Sequence, residues 1–258
     1  MRHSGEPGVS DIAFAVIGGT GFYQLAALEN MRRERVDTPW GSPSGDIVIG
    51  RLDGREVAFL ARHGENHQWA PHRVNYRANI WALDHLGIKH IVAINAVGGI
   101  RSDMGPRALV VPDQLIDYTH GRASSFCDVD GAEVVHVDFS EPYAQAMRHA
   151  LLEAAQRVGT DVVDGGCYGV TQGPRLETRA EIARLRRDGC DLVGMTAMPE
   201  ATLARELDID YACLALVANW AAGCDPDNAP EISLEAIFEH VAAATAKVPA
   251  ILQQLILV

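Results

Sequence analysis

The chain has 258 residues, is 48% hydrophobic and carries a formal net charge of −12, which is enough length and apolar content for a single domain with a sizeable core. An acidic chain has nothing to exchange for the counterions of a nucleic-acid backbone, so nucleic acid is excluded as a partner and a small-molecule ligand is expected. Five scattered cysteines without a C-x-x-C pair fit neither a disulfide nor a zinc framework; together with the polar opening MRHSGEPGVSD and no membrane-length apolar run, they point to a soluble cytoplasmic protein.

Along the chain, residues 1–11 read as a flexible N-terminal segment, and β-rich runs then predict strands at 13–19, 46–50, 56–62, 90–96, 108–116, 167–173, 191–196 and 211–219. Several are apolar on both faces, as strands between two helix layers must be. Helices are predicted at 73–86, 141–158, 178–188, 199–207 and 233–257. Thr178 with Glu181 reads as a capping box and Ser233 as an N-cap before LEAIFEHV. The polar, unpatterned stretch 121–134 reads as a long loop. The expected fold is a three-layer α/β single domain spanning 1–258, with a mixed central β-sheet flanked by helices. In such folds ligands collect at the carboxyl ends of the strands.

The residues at those ends carry chemistry. IGGTGFYQ (17–24) lets the backbone turn tightly and offers N–H groups and the Thr20 hydroxyl to an anion. Gln24 stands where a dinucleotide fingerprint needs its third glycine, and no Gly-Lys-Ser/Thr follows to make a phosphate loop. The strand 56–62 ends in Arg62, whose fork of donors suits phosphate, followed by His63 as a second donor. His63, His67 and His72 are close enough to suggest a metal, but Gly64 and Pro71 break the helix such ligation usually needs. VGGI after the strand 90–96 reads as another glycine turn, bringing N–H groups to a ligand beside Asn95 and Ala96. Met195 and Thr196 close the strand 191–196; the hydroxyl can donate and the thioether can lie under a sugar. Thr20, Arg62, His63, Asn95 and Thr196 would surround one tetrahedral anion if these strand ends are neighbours.

The runs IGGTGF, ARHGENHQWAPHRVNYRANIWAL, NAVGG, VHVDFSEPY, TQGPRLETRAE and MTAMPEATLARE span almost the whole chain. They resemble the trimeric purine nucleoside and methylthioadenosine phosphorylases. The resemblance implies phosphorolysis of a purine nucleoside, with phosphate as co-substrate, no cofactor and no metal. It implies a phosphate site at Thr20, Arg62, His63, Asn95, Ala96 and Thr196, with Met195 under the ribose and the base near Leu176, Glu177, Asn219 and Trp220. It further implies a homotrimer in which His136 reaches a neighbour's site. Leu176 departs from the phenylalanine common at its position.

Asn219 and Ala221 stand where methylthioadenosine phosphorylases typically have two aspartates. An Asn219 amide can donate to N7 and to a 6-oxo oxygen, and the Glu177 carboxylate can accept the N1 hydrogen that a 6-oxopurine has and adenine lacks. Asn219, His63 and Arg62 are thus the candidate catalytic residues. Leu234, Ile237 and Phe238 stand near where related nucleoside phosphorylases usually offer a histidine to the 5′-hydroxyl, and an apolar lining there suits a methylthio group. The expected reaction is phosphorolysis of 5′-methylthioinosine to hypoxanthine and 5-methylthioribose 1-phosphate. A 5′-methylthioadenosine phosphorylase and a general 6-oxopurine nucleoside phosphorylase are the near alternatives. GGTGF also opens many NAD(P)-dependent reductases, but these need a Tyr-x-x-x-Lys pair that this sequence does not contain. A metal-dependent hydrolase on the three histidines would need no phosphate.

Overall fold

Runs that are apolar on both faces are satisfied only between two helix layers, and that is where they lie. The computed structural model describes residues 12–22, 25, 27–227 and 233–255. Its strands are β1 (Ile12–Gly18), β2 (Glu29–Glu34), β3 (Ile47–Leu52), β4 (Arg55–Ala61), β5 (His90–Gly99), β6 (Leu109–Val111), β7 (Gln114–Asp117), β8 (Val163–Asp164), β9 (Cys167–Val170), β10 (Leu192–Gly194) and β11 (Asp210–Trp220). The helices are α1 (Tyr76–His85), α2 (Gln145–Arg157), α3 (Arg179–Arg187), α4 (Ala197–Glu206), α5 (Leu234–Thr245) and α6 (Val248–Gln254). The strands form one mixed sheet in the order β2-β3-β4-β1-β5-β10-β9-β7, from which β11, β6 and β8 branch beside β5.

Alternate residues of each central strand enter opposite layers. Ile17, Ile91 and Tyr211 pack on the face shared with Leu83 of α1 and Leu203 of α4. Val16, Val92 and Ala212 pack on the other face with Leu151 of α2 and Ile251 of α6. The chain is a single α/β unit, as the patterning predicts.

The register explains where a ligand can sit. One edge of β5 is taken by β11 along its whole length, from His90 opposite Asp210 to Gly99 opposite Trp220. The other edge pairs with β1 at Ile91, Val92 and Ala93 and then with β10 at Gly98 and Gly99. Between these two partners no strand among the described residues lies beside this edge of β5, and a cleft opens there.

Several boundaries differ from the sequence reading, each for a local reason. The VGG stretch is not a turn: it continues β5, and Gly99 is required because a Cβ there would lie 1.7 Å from the Met104 carbonyl oxygen. The run 108–116 is two strands, broken at Pro112 and Asp113, since proline brings no ladder donor. The described part of the predicted run 233–257, residues 233–255, is two helices, with Lys247 at the N-cap of the second and Pro249 in its first turn, and residues 256 and 257 lie outside the described residues. The first helix starts at Tyr76 behind a short 3-10 turn at Pro71–Arg73. The strand β2, charged and exposed along most of its length, and β8, of only two residues, are absent from the sequence reading because neither is long and apolar enough to show a strand pattern.

Other expectations hold. Thr178 accepts from the Glu181 N–H at 3.1 Å while the Glu181 carboxylate accepts from the Thr178 N–H at 2.7 Å, which is the predicted capping box. Ser233 caps α5 through the Ala236 N–H. Residues 121–134 contain no helix or strand. The predicted segment 1–11 lies outside the described residues. Among the described residues no helix is long and apolar enough to cross a membrane.

Candidate active site

The cleft beside β5 opens into a cavity of about 330 Å³ whose lining comes from the carboxyl ends of β1, β4, β5, β10 and β11 and from α5. Sequentially remote groups meet there because β1, β4, β5 and β11 run parallel and end on one side of the sheet, while the short antiparallel β10 runs back along β5 toward the same gap.

At one end lie Gly19, Thr20, Arg62, His63, Ala96 and Thr196. Gly19 has no room for a side chain: a Cβ would sit 2.5 Å from the Ile94 carbonyl oxygen and 3.0 Å from Arg62 Nη1. Arg62 is fully buried. Its Nε and Nη2 each donate to Glu200 at 2.7 Å, and Nη1 donates to the Ile94 carbonyl at 3.0 Å, where β5 has β11 on one edge and neither β1 nor β10 on the other. Tyr211 completes the carboxylate with a hydroxyl bond of 2.9 Å. Burial works against the guanidinium charge, and Glu200 more than offsets it, holding the pKa above its ordinary value. Glu200 has no sequence signal beyond its place in MTAMPE, because a buried carboxylate opposite a buried arginine leaves no periodic pattern.

His63 follows Arg62 into the cavity with only 4% of its surface exposed. Burial and then the adjacent Arg62 charge push its pKa down to about 4, so the ring is neutral near pH 7. Its Nδ1 lies 2.7 Å from the Trp69 carbonyl, which can only accept. Nδ1 therefore holds the hydrogen and Nε2 is an acceptor, which corrects the expectation of a donor at this position. Asn95 also departs from its expected place. It is buried behind the cavity wall and donates from Nδ2 to Thr196 Oγ1 at 2.8 Å, which leaves the Thr196 hydroxyl hydrogen free to point elsewhere.

In the middle, Met195 lies over Gly173, whose positive φ of 62° and contact with the thioether leave no space for a Cβ. Arg122, from the long loop, donates to the carbonyls of Met195 at 2.8 Å and Gln172 at 2.9 Å, tying the ends of β9 and β10 together. At the far end Glu177 accepts from Thr171 Oγ1 at 2.5 Å. Leu176, Glu177, Asn219 and Ala221 line this end, and Asn219 Nδ2 donates to the Trp220 carbonyl at 2.6 Å. Trp220 does not line the cavity, in contrast to expectation. Adjacent strand residues face opposite sides, and its ring packs where a Cβ on Gly105 would lie 2.9 Å from it. Leu234, Ile237 and Phe238 of α5 form an apolar side, with Leu234 66% and Phe238 59% exposed at the rim. His240 ties α5 to the strand end through Nδ1 and the Ala218 carbonyl at 2.9 Å. His136 is exposed on the long loop and does not line this cavity. Among the described residues no group of three or more His, Cys, Asp or Glu is arranged to hold a metal ion.

The phosphorylase superfamily model matches residues 13–256, nearly the whole chain. The chain belongs to that superfamily. It is 58% identical over 246 residues to a protein named probable S-methyl-5′-thioinosine phosphorylase from Xanthomonas campestris pv. campestris, covering 95% of this chain and 98% of the relative. It is 48% identical to the 6-oxopurine nucleoside phosphorylase of Pyrococcus furiosus, covering 81% of this chain and 80% of the relative. Methylthioadenosine phosphorylase from Schistosoma mansoni, solved in complex with adenine, superposes with a TM-score of 0.88 at 31% identity, covering 94% of this chain and 90% of that one. The reductase and metal-hydrolase alternatives lose their ground with this membership, since the GGTGF opening and the ARHGENH loop both belong to a phosphorylase chain.

Proposed function

We propose that this enzyme is a pentosyltransferase that cleaves 5′-methylthioinosine with phosphate, giving hypoxanthine and 5-methylthioribose 1-phosphate. The observation that carries the proposal is the chemistry of the cavity's two outer ends: a neutral Asn219 and Ala221 with Glu177 where the base would lie, and apolar Leu234, Ile237 and Phe238 where the 5′-group would lie. The 58% identity to a probable S-methyl-5′-thioinosine phosphorylase supports the same substrate.

In this reading phosphate occupies the end formed by Arg62, His63, Thr20, Ala96 and Thr196, with Asn95 holding Thr196 in place. It attacks the anomeric carbon while the C–N bond breaks and its electron pair passes to the purine, which takes up one proton to become hypoxanthine as hydrogenphosphate gives one up in becoming the sugar phosphate. Met195 supports the sugar. With one Nδ2 hydrogen given to the Trp220 carbonyl, Asn219 uses the other to stabilise charge on the leaving base at N7 or the 6-oxo oxygen, and Glu177, oriented by Thr171, accepts the N1 hydrogen. Adenine would meet Glu177 with a bare lone pair, which disfavours 5′-methylthioadenosine. Phosphate is a co-substrate, and no cofactor or metal enters the reaction.

We further place the enzyme in the cytoplasm, a compartment suited to five cysteines that are all free. The working unit is a ring of three, in which His136 completes a neighbour's cavity. Its exposed position beside Val134 and Val135, 68% and 52% exposed, supports a covered surface there. The test is release of base from 5′-methylthioinosine, inosine and 5′-methylthioadenosine with and without phosphate. Equal release in phosphate-free buffer removes the phosphorolytic reading, and equal efficiency on all three nucleosides removes the assigned substrate.

A further inference from the structure

We infer that the anion end of the cavity selects a tetrahedral oxyanion that carries a hydrogen, because His63 presents an acceptor nitrogen beside the donors of Arg62 and Thr196. The inference rests on the phosphorolytic reading for its physiological meaning, although anion selectivity can be measured without turnover.

The tautomer is decided by the backbone. The Trp69 carbonyl, 2.7 Å from His63 Nδ1, has no hydrogen to give, so Nδ1 must be the N–H. A second hydrogen on the ring would require protonation, which burial and the Arg62 charge oppose. Nε2 is left as a lone pair, and among the described residues no group donates a hydrogen bond to it. Because the partner is a main-chain carbonyl on the loop after β4, it cannot exchange accepting for donating as a hydroxyl or amide partner could.

The neighbours are donors. Arg62 spends Nε–H and one hydrogen of Nη2 on Glu200 and one hydrogen of Nη1 on Ile94, which leaves one N–H on each terminal nitrogen. Thr196 Oγ1 already accepts from Asn95, so its own hydrogen is available to an anion. An anion matching this set needs bare oxygens toward Arg62 and Thr196 and one O–H toward Nε2. Hydrogenphosphate and hydrogenarsenate meet that description near neutral pH. Sulfate has the same shape and charge and no hydrogen, so one of its oxygens would face the Nε2 lone pair.

The experiment is calorimetric titration of the enzyme with phosphate, arsenate and sulfate at neutral pH. Arsenate is expected to bind with nearly the phosphate affinity, and sulfate about 10- to 100-fold more weakly, the ratio for leaving one buried polar pair mismatched. His63→Gln, whose amide can turn either its NH₂ or its oxygen to the anion, is expected to bring sulfate and phosphate within about threefold of each other. Sulfate binding to the unaltered enzyme as tightly as phosphate overturns the inference, whether or not the variant folds. So does a folded His63→Gln enzyme that keeps the original ratio. Loss of the phosphorolytic reading appears separately, as base release that is indifferent to phosphate.

Discussion

Glu200→Gln keeps the shape of the side chain opposite Arg62 and removes its charge, so its effect can be worked from the geometry. Glu200 Oε1 accepts from Arg62 Nη2 at 2.7 Å and from the Tyr211 hydroxyl at 2.9 Å, and Oε2 accepts from Arg62 Nε at 2.7 Å. Both partners of the ion pair are fully buried. A glutamine can retain the two bonds made to Oε1 only by setting its NH₂ against the Arg62 Nε–H. One charge-assisted bond is then lost and a guanidinium is left in a dry interior without its counter-charge. Breaking one side of a buried pair costs about 3–5 kcal/mol, against a total stability on the order of 5–15 kcal/mol. At about 2–4 °C per kcal/mol for a domain of this size, melting should fall by roughly 6–20 °C. Phosphate should return part of that loss, because an anion beside Arg62 replaces the missing charge; the phosphate-induced rise in Tm should be larger in the variant than in the unaltered enzyme. Scanning calorimetry of both proteins with and without phosphate measures this. A fall of under about 2 °C would refute the energetic argument, and equal phosphate-induced rises would separate Arg62 from the anion.

Four further outcomes follow from the site. The efficiency kcat/KM for 5′-methylthioinosine should exceed that for 5′-methylthioadenosine by roughly a hundredfold or more, and Asn219→Asp with Ala221→Asp should narrow the gap while Glu177 keeps it from closing; steady-state kinetics on both nucleosides decide this. Because His63 titrates near 4 in the folded enzyme instead of near its ordinary value of 6.5, the unfolded chain binds the extra proton between those values. Stability should therefore be intact above about 6.5 and decline as pH falls toward 4, by about 3 kcal/mol from this residue, and urea midpoints of His63→Gln should lack that part of the slope. Gly19→Ala must push a methyl group toward the Ile94 carbonyl and Arg62, so phosphate KM should rise about tenfold or more, with binding of free hypoxanthine little changed by calorimetry. Sedimentation should give a trimer at assay concentrations, and His136→Ala should lower activity without changing that mass; a fully active monomer would count against the shared site.

Much of this protein is legible in one dimension. Strands apolar on both faces announce helix layers, a Thr178/Glu181 pair announces a helix start, and Arg62, Met195, Thr196 and Asn219 stand at strand ends, where the cavity does form. These are signals of local order: each depends on residues a few positions apart, and the alternation of a strand or the hydrogen-bond needs of a helix end acts on any chain that carries the pattern. Partnership across the fold is different. That β10 takes over the edge of β5 that β1 leaves, that Glu200 faces Arg62 from 138 positions away, and that Asn95 stands behind Thr196 across 101 positions are outcomes of sheet order. Trp220 illustrates the boundary between the two kinds of information: strand alternation sends it to the side opposite Asn219, yet only the assembled sheet says which side holds the cavity. His63 goes furthest. Its identity is written in the chain, but whether it gives or accepts a hydrogen depends on a carbonyl six residues away, brought to 2.7 Å by the course of the loop after β4. Residue type sets what a side chain can do, and the tertiary structure selects among those options because burial and a fixed partner remove the alternatives that water would otherwise keep open.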